Sequence, residues 1–436
     1  MKDGIFSYAQ SLKNETVRLR RDFHKYPENG FCEFRTACII IQYLRGLGYD
    51  VKYGKDVVDD AHLMGVPSDD ILSAEIDRAV SEGASRDLCE SLSGGRTAVV
   101  ATIKGKREGQ KKVVAFRFDI DCNELTESDS EIHLPVKLGF RSVHAGLTHA
   151  CGHDGHISIG LTLARILKEY ENSFSGTVKL IFQPAEEGVR GAEAMVAAGV
   201  VDDVDYFFSG HIGLGANSNS TLYASTGGFL CAAKFDAEFF GKSSHAGNAP
   251  QDGNNALLAA AQATLALHAI SRHGEGASRI NVGVINGGSG RNVIPDHAII
   301  KFETRGQTQK INDYMIERSK QIISSSADMY NVGYRINCVG RAASFELSDG
   351  EFTSAVFDLA KESGMFEEVR GYADLNASED CTSFMTRVCE NGGKATYMLI
   401  GSKLSDKHHT PKFDFNEDSM TSAAAFYAYL VMKFAN

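Results

Sequence analysis

The chain has 436 residues, 43% of them hydrophobic and 23% charged, with a net charge of −11. That is the balance of a globular enzyme with more than one domain, and so acidic a chain is a poor partner for nucleic acid or an anionic membrane. No apolar run reaches the roughly 18 residues of a membrane span, and the polar start Met1-Lys2-Asp3-Gly4-Ile5 lacks the core of a signal peptide.

Residues 5–48 read as helix, turn and helix, broken at Pro27-Glu28-Asn29-Gly30 and stopped at Gly48. Residues 55–95 are polar, helix-prone and rich in Asp, Glu and Ser, an elaboration outside the core sheet. Residues 97–103 and 113–118 read as short apolar strands. A helix near 157–170 leads into a strand at 177–182, and residues 206–209 and 395–400 read as further buried strands. Strands alternating with helices predict an α/β layer fold. The middle differs: strand 232–240, helix 255–270, strands 279–284 and 298–304, helix 311–329, strand 333–339. That order, β-α-β-β-α-β, is the ferredoxin-like motif. The expected organisation is a discontinuous α/β domain over 1–228 and 343–436, interrupted by an α+β domain over 229–342.

The densest chemistry lies in His149-Ala150-Cys151-Gly152-His153-Asp154-Gly155-His156. Cys and His bind divalent transition metals, the Cys as its thiolate. Four further clusters sit where strands should end: Arg117-Phe118-Asp119-Ile120-Asp121, Gln183-Pro184-Ala185-Glu186-Glu187, Gly210-His211-Ile212-Gly213 and Lys407-His408-His409-Thr410-Pro411. Sites in open α/β sheets form beyond such ends. A two-metal hydrolase needs ligands for both ions and one carboxylate left as base. Adjacent Glu186 and Glu187 suit that division, and spacing alone does not say which is which. Taken singly, a Glu-Glu pair reads as solvated surface, His211 as a core histidine and Cys151 as a small buried hydrophobe. Together they read as a metal centre. A Cys/His thiol hydrolase would use Cys151 but leave Glu186, Glu187, His211 and His409 without work. The nine cysteines are scattered, odd in number and without a Cys-x-x-Cys pair, which predicts free thiols and a cytoplasmic location.

These motifs, with Arg20-Arg21-Asp22-Phe23-His24, Gly241-Lys242-Ser243-Ser244-His245-Ala246 and Gly287-Gly288-Ser289-Gly290-Arg291-Asn292-Val293-Ile294-Pro295, resemble the amidohydrolase branch of the M20 metallopeptidases over nearly the whole chain. The resemblance implies a central mixed sheet flanked by helices, with the inserted domain as lid and dimerisation domain. It implies two divalent metal ions per subunit, Mn first, with Zn, Ni or Co as alternatives. Cys151 would bridge them, with His153, Glu187, His211 and His409 as the other ligands. Glu186 would be the general base and acid, and Asp119 would orient a ligand. His245 would steady the oxyanion, and Asn292 and Arg305 would contact the substrate. Many M20 peptidases carry His where this chain has Arg117 and Asp where it has Cys151. The segment at 55–95, with Met64-Gly65-Val66-Pro67, is similar to the members of that branch that cleave p-aminobenzoyl-glutamate. That implies a small N-acyl amino acid substrate, and either a homodimer or pairing with a related B subunit in a heterodimer. The alternatives are a broader N-acyl amino acid or hippurate-type hydrolase, and a non-catalytic binding protein.

Overall fold

A computed structural model describes residues 1–436 apart from Asn217 and Ser348. The chain divides into two compact units: Met1–Gly227 with Phe345–Leu375 and Asp380–Asn436, and Gly228–Ser344 with Asn376–Glu379. The short Asn376–Glu379 piece, placed by sequence in the outer domain, groups with the second unit. There the Leu230 N–H donates to the Ala377 carbonyl at 3.0 Å.

The first unit is built on an eight-stranded mixed sheet. Its strands run, edge to edge, Asp50–Tyr53, Val99–Lys104, Thr177–Gln183, Val113–Asp119, Tyr206–Ile212, Lys394–Ile400, Thr221–Tyr223 and Glu368–Arg370. The four from Thr177–Gln183 to Lys394–Ile400 are parallel to one another. They are covered on both faces, which is why they read as near-continuous apolar runs. Adjacent Phe207 and Phe208 point to opposite faces. Phe207 stacks on Phe384 of helix Cys381–Glu390, while Phe208 meets Phe434 of helix Asp418–Phe434.

Helix His153–Glu169 is buried along nearly its whole length. It opens at Gly152, whose φ of 88° suits glycine and strains other residues. It lies close to the sheet at Gly160, where an added Cβ would come within 2.8 Å of Phe118 and 2.9 Å of Phe182. The 55–95 segment forms helices Asp69–Ser81 and Arg86–Ser91. They take no part in the sheet, but Leu72, Ile76, Ala79, Cys89 and Leu92 enter its main core. There they pack against helix Phe34–Gly46.

The second unit is β-α-β-β-α-β: strands Cys231–Phe240, Ser278–Gly287, His297–Gly306 and Gly333–Ala342, with helices Ala256–His268 and Gln309–Met329. The last strand lies beside the first, and the order across the sheet is fourth, first, third, second, all antiparallel. Asn255 and Thr308 cap the two helices by accepting N–H groups of Leu258 and Ile311. The core is small-residue helix on sheet, with Phe235 stacked on Phe302.

Gly160→Val should cost about 1–3 kcal/mol, the usual penalty for overfilling a packed interior. Urea unfolding of the variant beside the wild type measures it.

Candidate metal centre

The carboxyl ends of the four parallel strands lie side by side, and the turns leaving them deliver one cluster of side chains. The Nδ1 of His153 lies 2.9 Å from the carbonyl oxygen of Asp121. A carbonyl only accepts, so Nδ1 donates and Nε2 faces the cluster. His211 is set the same way, with Nδ1 2.8 Å from the Ile212 carbonyl and Nε2 3.3 Å from Cys151 Sγ. His409 Nε2 is 3.3 Å from the same sulfur and 3.2 Å from Glu187 Oε1. The neighbouring His408 instead turns its Nε2 to the Ile212 carbonyl at 3.0 Å.

Several overlapping donor groups result, among them one of His153, Glu186 and Glu187, and two that share Cys151. Cys151, His153 and His211 have ligand atoms within 4.8 Å of one another, and so do Cys151, Glu187 and His409. Cys151 belongs to both. Glu186 stands beside them, its Oε2 3.9 Å from His153 Nε2.

The turn carrying Glu186 and Glu187 is pinned by Asp121, whose two carboxylate oxygens accept their backbone N–H groups at 3.0 and 2.9 Å. Ala185 just before it has φ 53°, and His409 has φ 60°. Both are strained backbones of the kind found at functional turns. The Ala185 N–H is held by Glu33 Oε1 at 2.9 Å.

Asp119 is fully buried. His156 Nε2 accepts the Ile212 N–H, so its Nδ1 donates to Asp119, 2.5 Å away. Arg117 donates to the other Asp119 oxygen at 2.8 Å and reaches Asp380 at 3.1 Å. Asp119 stands 3.8 Å from His153 Nδ1, so it acts on that ring through charge, and the Asp121 carbonyl does the orienting. Asp121 and His156 were assigned no role from the sequence. The signal for Asp121 was present, since Asp119 and Asp121 alternate at one strand end.

The charges leave the centre short of a cation. Burial opposes a proton on His153, yet Asp119 and Asp121 outweigh it and raise that imidazole to about 10. Burial and the Glu187 and Glu186 carboxylates push the Cys151 thiol well above its ordinary value. Burial also works against the Glu187 carboxylate, but His409 and His153 lower it to about 2. Burial and the nearby His156 hold His211 well below the usual histidine range, so it stays neutral. His153 Nε2 is buried with no hydrogen-bond partner. Soft sulfur, two aimed imidazole nitrogens and surplus carboxylate fit divalent transition metal ions.

In the second unit, His245 is exposed, and its Nδ1 accepts the N–H groups of Gly247 and Asn248 at 3.1 and 3.0 Å. The imidazole proton therefore sits on Nε2. Asn292 is its neighbour across a β-bridge segment, with the Ala246 N–H on its carbonyl at 3.0 Å. Arg305 spans both oxygens of Glu303, at 2.8 and 3.2 Å. Of the residues expected to act, the structure gathers Cys151, His153, Glu186, Glu187, His211, His409 and Asp119 in the first unit. His245 and Asn292 are together in the second, and Arg305 stands on a strand with its own internal partner.

The family described as peptidase family M20/M25/M40 matches residues 115–433. The chain belongs to this family. Over 99% of its length this M20 protein is 44% identical to the A subunit of the p-aminobenzoyl-glutamate hydrolase of Escherichia coli K12, covering 98% of that protein. It is 45% identical to the indole-3-acetyl-aspartic acid hydrolase of Enterobacter agglomerans, covering 98% of this chain and 97% of that one. The crystal structure of an aminobenzoyl-glutamate utilization protein from Klebsiella pneumoniae superposes with a TM-score of 0.82 at 38% identity, covering 98% of this chain and 97% of that one.

Behind the Cys151–His156 turn, the M20 protein anchors Asp154 on a buried network. His24 lies 2.8 Å from Asp154 and 3.0 Å from Glu127, and Arg20 bridges Asp154 and Asp414 at 2.8 and 2.7 Å. Burial and the Arg20 charge oppose protonation of His24, but Asp154 and Glu127 prevail and raise it from 6.5 to about 9. A raised pKa stabilises fully below the unfolded value of 6.5, and the contribution is lost as pH rises through about 9. The stability gap between wild type and His24→Asn should therefore be largest near about pH 6 and shrink toward about pH 10. Chemical unfolding across that range reads it; a gap that widens with pH contradicts the assignment.

Proposed function

We propose that this M20 hydrolase cuts the amide between an aromatic acyl group and a dicarboxylic amino acid, with p-aminobenzoyl-glutamate as its substrate. The observation that carries the reading is the pair of donor groups sharing Cys151 with Glu186 beside them. The two relatives at 44% and 45% identity are named for an aromatic acyl joined to glutamate and to aspartate.

In this reading Cys151 is shared, His153 and His211 complete one metal site, and Glu187 and His409 complete the other, with manganese as the ion. Such ions, when bound, polarise the scissile carbonyl and acidify the attacking water. Glu186 takes the water's proton and returns it to the leaving amine. Its backbone is fixed on Asp121, which holds its carboxylate beside the donor groups. Asp119 keeps negative charge behind His153. His245 offers Nε2–H to the developing oxyanion, a role favoured by the two N–H groups on its Nδ1. Asn292 and Arg305 contact the substrate, and residues 229–342 act as lid and dimerisation domain. The Escherichia coli relative is named as one subunit of its hydrolase, which supports pairing with a second, related B subunit. None of the described cysteines forms a disulfide, which supports a cytoplasmic location, and no helix among the described residues is long and apolar enough to cross a membrane.

The purified protein, supplied with manganese, should release glutamate from p-aminobenzoyl-glutamate and leave hippurate intact. Glu186→Ala should abolish release while keeping the metal content of the wild type. Loss of metal in that variant would make Glu186 a ligand, and hippurate cleavage alone would replace the proposed substrate class.

A further inference from the structure

Away from the metal centre, two thiols meet in the interior of the first unit. Cys38 projects from helix Phe34–Gly46, and Cys89 from the short helix Arg86–Ser91 at the end of the 55–95 segment. Their Sγ atoms are 3.5 Å apart and both residues are buried. They stand 51 positions apart along the chain, so the fold alone brings them together. Neither sulfur has work in the hydrolysis described above.

From 3.5 Å the sulfurs must approach by about 1.5 Å to reach the roughly 2.05 Å of a disulfide bond. Helix Arg86–Ser91 is the element able to supply that movement. Its six residues are too few to hold a helix unaided. Burial of Cys89 and Leu92 holds it, with an exposed Arg86–Asp77 ion pair at 2.7 Å that contributes little. Asp87, Glu90 and Ser91 on its outer side are exposed. Local opening of such an element uncovers Cys89 without unfolding the sheet. Helix Phe34–Gly46 is fixed by contrast, with Phe34, Ala37, Ile40, Ile41 and Leu44 all in the main core. It keeps Cys38 in place for the second step.

We propose that Cys38 and Cys89 form a redox-modification site that closes to a disulfide in the presence of hydrogen peroxide. The Cys89 thiolate attacks one peroxide oxygen: an S–O bond forms, the O–O bond breaks, and the released hydroxide takes up a proton as water. The Cys38 thiolate then attacks the Cys89 sulfur: an S–S bond forms, the S–O bond breaks, and a second water leaves. Two thiols and one peroxide give one disulfide and two waters. Reducing conditions reverse the reaction, so the resting protein keeps both thiols. The bond fastens the 55–95 segment to helix Phe34–Gly46 and restricts the unfolded chain. The site stands independently of the hydrolase reading.

The test treats the full-length, manganese-loaded protein with hydrogen peroxide, at a dose raised until the exposed Cys338 is oxidised. Remaining thiols are alkylated and the protein is digested without reductant. Mass spectrometry should find Cys38 and Cys89 in one linked species that dithiothreitol separates. Urea unfolding should give a higher midpoint for the oxidised than for the reduced wild type. Cys338→Ser should keep the link and this gap, whereas Cys38→Ala and Cys89→Ala should each lose both. Every gap compares oxidised with reduced samples of one variant, so a general loss of stability leaves it readable. Cys38 and Cys89 alkylated separately while Cys338 is oxidised, a link formed only after urea opens the protein, or an unchanged midpoint in the linked wild type would each overturn the proposal.

Discussion

Asp121 holds the Glu186-Glu187 turn with its carboxylate and His153 with its carbonyl. One fully buried residue thereby fixes Glu186, Glu187 and His153, drawn from two separate stretches of chain. The sheet makes this possible. Asp121 follows the strand Val113–Asp119, Glu186 follows its parallel neighbour Thr177–Gln183, and the register pairs Asp119 with Gln183. Their turns must therefore leave side by side. A peptide N–H buried without an acceptor is costly, so the two donated by Glu186 and Glu187 make this attachment hard to break.

The same geometry concentrates negative charge. Arg117 offsets the charge of Asp119, His156 donates a hydrogen bond to it, and the Glu187 carboxylate leans on His409 and His153. What remains draws a proton onto His153 and keeps Cys151 a thiol. A divalent cation would replace that proton and convert the thiol to thiolate, since metal binding and ligand deprotonation are one equilibrium. The Arg20-His24-Asp154 network behind the turn does the opposite job: its charges pair among themselves and hold the backbone of the motif in place.

The central strands and the β-α-β-β-α-β insert were legible because each element is long enough to show an apolar run or a helical period. The short strands Asp50–Tyr53, Thr221–Tyr223 and Glu368–Arg370 were not, since three or four residues carry no period. Helix Asp418–Phe434 escaped for another reason. It is buried nearly all round and so lacks a polar face to mark it. At the centre, residues with an unusual local density of ligand chemistry stood out, as Cys151, His153 and His156 did. Roles exerted through backbone groups did not: Asp121 works by its carbonyl and by accepting amides, features no residue type announces. The 55–95 segment looked peripheral because its surface is acidic, yet one stripe of it, Leu72, Ile76 and Ala79, is core.

The whole centre turns on Cys151 serving two donor groups at once. Manganese content, measured on purified wild type, His211→Ala, His409→Ala and Cys151→Ala at equal free metal, tests this directly. Each histidine variant should lose one of the two ions and keep the other, while Cys151→Ala should lose both. If Cys151→Ala kept the wild-type content, or if either histidine variant lost both ions with its fold intact, the shared thiolate would be wrong.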